Sequence, residues 1–220
     1  MSGLHILENH MQLIGLAGPK KSGKDTIADH LVANHGFVKI GFADKIREEL
    51  RAAYPGLEAG SFENQAFKDV NDISLALEHC ENLGFIDWLR HRRVVEIYAE
   101  LSESRSPRWL QQQWGDYRRA TAGWDYFICD VRERIEASTT PVVVSGLRYA
   151  ASAPIPTAEA GLIRQLGGWV WHIDRPAYQA SAEHTTEIAL PRHSRDLTID
   201  NDGDVKTLLD VVDLTVGALA

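Results

Sequence analysis

Nine consecutive residues, Gly18-Pro-Lys-Lys-Ser-Gly23-Lys24-Asp25-Thr26, have the types and spacing that hold phosphate groups. In a Gly-x-x-x-x-Gly-Lys pattern the glycines let backbone N–H groups turn inward around phosphate oxygens. A helix starting at once adds partial positive charge there. The Lys24 ammonium can then reach between the β- and γ-phosphates of ATP and offset charge during transfer. Gly18, Lys21, Ser22, Gly23, Lys24, Asp25 and Thr26 are therefore the expected ATP contacts. Serine or threonine commonly follows such a lysine, whereas this chain has Asp25 and then Thr26. Either Thr26 supplies the hydroxyl near Mg²⁺, or Asp25 contacts the metal directly or through water. The bland alternative is an ordinary glycine-rich turn, against which the lysine and the flanking elements count.

A kinase whose acceptor is itself an anion needs guanidinium groups converging on the transferred phosphate. Arg118 and Arg119 are the first candidates, because bidentate geometry suits arginine better than lysine. A solvated basic helix face is their competing reading. Arg148 closes a predicted strand, at the end where ligands collect in open α/β sheets. With Lys24, these three arginines form the expected catalytic set. Asp44 is read either as a contact to the acceptor's sugar or the metal, or as a plain helix N-cap. Trp114 and Trp124 are read either as base-stacking platforms or as core. Arg90, Arg92, Arg93, Arg105 and Arg108 belong either to a mobile lid or to an exposed charged surface, with the Ser-rich turn SESRSPR read as flexible. None of the nine histidines is expected to join a metal-ligand cluster, so no zinc is expected.

The elements that must position these groups follow from apolar patterning. Met11–Ala17 reads as a buried parallel strand, Thr26–His35 as a helix ended by Gly36, Phe37–Phe42 as a second strand and Asp44–Ala53 as a helix. Helical stretches are expected over Ile73–Leu83, Phe85–Leu101 and Trp124–Ala137. Strands are expected over Pro141–Ser145, Gly168–Ile173 and Asp196–Ile199, and a last helix over Val205–Leu219. Ala150–Ala160 reads as a loop. The expectation is an α/β P-loop kinase fold of about five parallel strands with flanking helices. Residues 1–10 are an extension, and 11–220 one domain with a helical acceptor and lid insertion near 55–136.

Hydrophobic residues at 44% and charged residues at 25% are ordinary for a globular chain, and a net charge of -8 argues against stable nucleic-acid binding. No apolar run reaches the roughly 20 residues that span a bilayer, and the start lacks a signal-peptide pattern. Cys80 and Cys129 fit no metal or redox spacing and are read as reduced, which points to the cytoplasm. No membrane partner is expected, and a homodimer is kept open.

Several segments resemble the deoxynucleoside monophosphate kinases of bacteriophages: Gly23-Lys24-Asp25-Thr26, Phe42-Ala43-Asp44-Lys45, Gln113-Trp114-Gly115-Asp116-Tyr117-Arg118-Arg119, His184-Thr-Thr-Glu187 and Ile199-Asp200-Asn201-Asp202-Gly203. The resemblance spans almost the whole chain apart from residues 55–105. It implies transfer of the γ-phosphoryl group of ATP, with Mg²⁺, to a deoxynucleoside 5′-monophosphate in the host cytoplasm. It also implies an acceptor site of Asp44, Lys45, Trp114, Gly115, Arg118, Arg119, Trp124 and Arg148, with Arg175 near the adenine. His184 and Glu187 match the pattern but suit helix packing or capping equally. The family usually carries Asp-x-Arg after the third strand and a glutamate beyond. Here Gly146 holds the aspartate position before Arg148, and Ser152 stands at the glutamate position. The rival readings are another small-molecule kinase acting on dephospho-coenzyme A or a sugar, a kinase acting on modified DNA, and a nucleotide-binding switch that no longer transfers phosphate.

Overall fold

The computed structural model describes residues 13–58, 60–64, 66–95, 98–176 and 188–219. The expected Met11 start of the first strand, the 1–10 extension, His184 and Glu187 lie outside the described residues.

Five parallel strands, β1 (Leu13–Ala17), β2 (Val38–Ile40), β3 (Val142–Leu147), β4 (Trp169–Asp174) and β5 (Leu197–Asp200), form one sheet in the order β2-β3-β1-β4-β5. β1 is buried along its whole length, as its unbroken apolar run LIGLA requires of a strand covered on both faces. Helices α1 (Lys24–His35), α6 (Ala158–Gln165) and α7 (Val205–Leu219) belong to the same compact unit, residues 1–41 with 131–220. Its core joins Leu16, Ile27, Leu31, Trp171, Ile173 and Val212, all nearly inaccessible to water.

A second compact unit, Phe42–Asp130, is helical. It contains α2 (Asp44–Ala53), α3 (Leu83–His91), α4 (Pro107–Ala122) and the start of α5 (Tyr126–Glu136). Leu50, Tyr54, Phe85, Leu89, Leu110 and Trp114 form its core. Asn82 caps α3 by accepting from the Phe85 amide at 2.9 Å, and Ser106 caps α4 by accepting from the Trp109 amide at 3.2 Å.

Three expected elements differ. Ile73–Leu83 is not one helix but two 3₁₀ turns, Ile73–Leu75 and Leu77–His79. The Asp72 carboxylate accepts from the Ser74 amide and hydroxyl, both at 2.8 Å, and Ala76 turns to extended backbone between them. Leu75, Ala76 and Leu77 are consecutively buried, a pattern one helix face cannot produce. The expected helix Phe85–Leu101 ends at His91, where Arg93 adopts φ 55°, and resumes as a 3₁₀ turn over Tyr98–Ser102. The expected loop Ala150–Ala160 runs into α6, a short helix holding Gly161 whose apolar residues Leu162 and Ile163 sit together. Among the described residues no helix is long and apolar enough to cross a membrane.

Candidate active site

Parallel pairing brings the carboxyl ends of β1, β3, β4 and β5 to one edge, and the residues after them build the candidate site. Gly18 leaves β1 at φ 147°, where a Cβ would meet the Ile173 carbonyl oxygen at 2.6 Å. Only glycine fits that approach. Lys21 adopts φ 65°, and Gly23 at φ 105° is the N-cap of α1, which no side chain caps. A helix N-terminus presented this way faces an anion with its amides and its dipole. The Lys24 ammonium folds over the loop and donates to Gly18 O at 2.7 Å and Pro19 O at 2.5 Å, with Ser22 Oγ 3.3 Å away.

Two further residues hold the loop. Asn201, buried after β5, donates from Nδ2 to Ser22 O at 2.8 Å, while its own amide donates to Asp174 O at 2.6 Å. Arg175 donates from Nη1 to Lys21 O at 3.0 Å, which sets it against the expected ATP loop. Asn201 belongs to a segment of the resemblance but is not among the expected site residues. Its signal is a lone asparagine between a strand end and Asp-Gly, where a side-chain amide can bond a neighbouring backbone. Asp25 and Thr26 are both exposed on the first turn of α1, and Asp25 lies 3.5 Å from the Lys39 ammonium.

At the end of β3, Gly146 has φ 79° and lies where pairing jumps from Leu16↔Ser145 to Ala17↔Leu147. An aspartate there would need a left-handed backbone, so the bulge accounts for glycine at the position the resemblance gives to a carboxylate. A different carboxylate reaches this edge: Glu159 of α6 accepts from the Arg148 amide at 2.7 Å. Glu159 is absent from the expected site because it lies 11 residues downstream of Arg148, in a segment read as loop. The Arg148 side chain is exposed.

The same unit contains a buried ion network. Asp196 accepts two bonds from Arg164, at 2.9 and 2.7 Å, one from His172 Nε2 at 2.9 Å and one from the His193 amide at 2.9 Å. Burial alone raises the Asp196 carboxyl, yet Arg164, the His193 amide and His172 together bring it down to about 2. His172, inside β4, is thereby structural.

In the helical unit, α2 presents Glu49 to α4 and α5. Glu49 Oε1 accepts from Arg118 Nη2 at 2.8 Å and the Tyr126 hydroxyl at 2.6 Å, and Oε2 accepts from Trp114 Nε1 at 2.8 Å. Arg118 also donates to the Tyr126 oxygen at 2.6 Å and stacks 4.5 Å over its ring. Burial lowers the Arg118 guanidinium, but Tyr126 and Glu49 outweigh that and raise it. Burial and Glu49 push the Tyr126 phenol up. Arg118 Nε is buried and has no hydrogen-bond partner among the described residues. A cavity of about 360 Å³ opens beside it, lined by Glu49, Ala52, Ala53, Glu81, Asn82, Trp114 and Arg118. Neither Glu49 nor Tyr126 is among the expected site residues, because one charge on an amphipathic helix carries no signal of its partners.

The other expected acceptor residues divide. Arg119 is half exposed, 3.1 Å from Asp116 and over the Phe127 ring, and Gly115 packs against Ile46 and Arg119. Trp114 is buried and hydrogen-bonded, with part of its surface on the cavity, whereas Trp124 is partly exposed beyond Gly123. Asp44 is not an N-cap: Ala43 holds that position, and the Asp44 carboxylate accepts from Arg47. Lys45 lies 3.9 Å from Glu48 and Asp130. Arg105 bonds Glu103 and Glu100 O and stacks on Trp109, and Arg108 pairs with Asp69. Asp72 and Arg105 also form a backbone bridge, so the segment expected to be a flexible turn is tied into the fold.

The sheet order and the loop between β1 and α1 define a P-loop kinase fold. The deoxynucleotide monophosphate kinase family model matches residues 12–84 of the chain. The chain is 25% identical to the deoxynucleotide monophosphate kinase of Enterobacteria phage T4, covering 95% of this chain and 100% of that one. It is 24% identical to the kinase of the same description from Escherichia phage RB69, covering 92% and 98%. Among solved structures, a gluconokinase from Sinorhizobium meliloti 1021 superposes with a TM-score of 0.41 at 14% identity, covering 96% and 94%.

Proposed function

We propose that the chain transfers the γ-phosphoryl group of ATP to the phosphate of a deoxynucleoside 5′-monophosphate, giving the diphosphate. The observation that carries this reading is the loop from Gly18 to Thr26. Its glycines sit in conformations and contacts closed to other residues, and its lysine ammonium is held over the turn at an uncapped helix N-terminus. The acceptor class is supported by the likeness to the phage T4 and RB69 kinases over nearly the whole chain.

In the sheet-bearing unit, the loop amides and Lys24 hold the β- and γ-phosphates, and Arg175 props the loop through Lys21 O. Asp25 and Thr26 offer a carboxylate and a hydroxyl, the hard oxygen donors that suit Mg²⁺, which when bound neutralises phosphate charge. In the helical unit, Arg119 is the exposed guanidinium for the acceptor phosphate. Arg118, fixed by Glu49 and Tyr126 but with Nε unpartnered among the described residues, faces the acceptor's base or sugar. An acceptor phosphate oxygen attacks the γ-phosphorus, the bond to the β-bridging oxygen breaks, and ADP leaves. The acceptor is already ionised, so no strong general base is required, and catalysis rests on positioning and charge neutralisation.

Coupled ATP turnover with dAMP, dGMP, dCMP and dTMP, beside a Lys24→Ala control, tests the proposal. Turnover should depend on at least one monophosphate and fall by about 10²-fold or more in the variant. ATP binding without monophosphate-dependent turnover would favour another acceptor or a switch.

A further inference from the structure

The far end of α1 from the phosphate loop carries a second constellation of ligating groups. His30 and His35 of α1 converge with Asp213 of α7, all within the sheet-bearing unit. His30 Nε2 lies 2.6 Å and His35 Nε2 2.7 Å from the same oxygen, Asp213 Oδ1. The three ligand atoms fall within 4.8 Å of one another, and the imidazole centroids are 5.6 Å apart. The sequence reading expected no histidine cluster, whereas here two imidazoles and a carboxylate converge. A His-x₄-His spacing is not a helix-face repeat, and the third member lies 178 residues beyond His35.

We propose that His30, His35 and Asp213 form a binding site for a borderline divalent transition metal, best matched by zinc, that joins α7 to α1. Two imidazole nitrogens and one carboxylate oxygen are a three-ligand zinc set leaving a fourth position for water. The imidazoles disfavour Mg²⁺ and Ca²⁺, which take oxygen ligands. Tetrahedral coordination at about 2.0–2.1 Å sets ligand atoms roughly 3.3 Å apart. Two of the present spacings, 2.6 and 2.7 Å, are shorter than that value, and all three ligand atoms lie within 4.8 Å of one another. The adjustment is a small rotation of side chains that are 14, 23 and 49% exposed, so an ion can enter from solvent.

Two further features favour a cation here. His35 is the last residue of α1, where unpaired carbonyls give the helix end partial negative charge. Without a metal, both imidazoles must direct a proton at one carboxylate oxygen, and one ion replaces both protons. The Asn34 amide lies 3.1 Å from His30 Nδ1. Turned end for end, it accepts the Nδ1 proton of a ligating ring and orients that ring, at the loss of its 3.2 Å bond to His30 O. The metal stiffens the contact between α1 and α7 and takes no part in chemistry at the loop.

The experiment is a zinc titration of metal-stripped full-length protein, read by calorimetry and thermal melting, with Mg²⁺ as control. The wild type should bind Zn²⁺ and gain roughly 5–10 °C in Tm at a hundredfold excess over Kd, with no such gain from Mg²⁺. His30→Ala/His35→Ala, and separately the shape-preserving Asp213→Asn, should melt near the wild type without zinc and weaken Zn²⁺ binding by at least about tenfold. Cobalt(II) should give tetrahedral d–d bands in the wild type only. Failure of the wild type to respond to zinc, or an equal response in both variants, would overturn the proposal and place any bound zinc at the exposed Cys129 or elsewhere.

Discussion

Lys24 and Gly18 carry much of the geometry of the turn between β1 and α1. Lys24 is held by two carbonyl oxygens of its own loop, so its ammonium is fixed over the turn. Replacing it with alanine should lower kcat by about 10²-fold or more while leaving the melting temperature within a few degrees, because a surface ammonium adds little to folding. Gly18→Ala should fail differently. Its Cβ would press on the Ile173 backbone carbonyl, costing about 1–3 kcal/mol of stability, visible in denaturant melts, along with weaker ATP binding. At this scale the turn between β1 and α1 was legible in sequence, because its backbone conformation is one that glycines announce locally. Glu49, Tyr126, Asn201 and Glu159 were not, since each acts through a partner brought near only by the fold.

The elements that carry these residues depend on polar anchors as much as on apolar burial. Asp196, just before β5, ties Arg164 of α6 to His172 of β4. Removing it with Asp196→Ala would strand a guanidinium in a nearly closed site, and the loss should be about 3–5 kcal/mol by chemical denaturation. Its carboxyl lies at about 2 when folded, below its ordinary 3.8. It therefore contributes its full stabilisation above about pH 4 and loses it as pH falls through about 2. That contribution is about 2 kcal/mol, and an acid titration of wild type against Asp196→Asn should show the difference collapsing below pH 4. Glu159→Ala should lower turnover with little change in stability if this carboxylate serves at the edge where Gly146 does not. Unchanged kinetics would remove it from the site. The strands and α7 were readable because buried parallel strands print unbroken apolar runs and an amphipathic terminal helix prints a strong period. The helical unit was less readable, because side-chain caps and single positive-φ residues such as Arg93 cut its helices into short pieces.

At the scale of the molecule, the chain combines one sheet-bearing unit with one helical unit and a net charge of -8. Fluorescence anisotropy should accordingly show no binding to duplex DNA at physiological salt. Binding with a steep salt slope would point instead to a substrate within nucleic acid. A crystal structure with a non-hydrolysable ATP analogue and Mg²⁺ would decide whether the turn between β1 and α1 holds the triphosphate. The β- and γ-phosphate oxygens should lie within hydrogen-bond distance of the amides of residues 21–26, with the Lys24 ammonium moved from Gly18 O and Pro19 O onto them. An analogue bound elsewhere, with the loop and Lys24 unchanged, would contradict it.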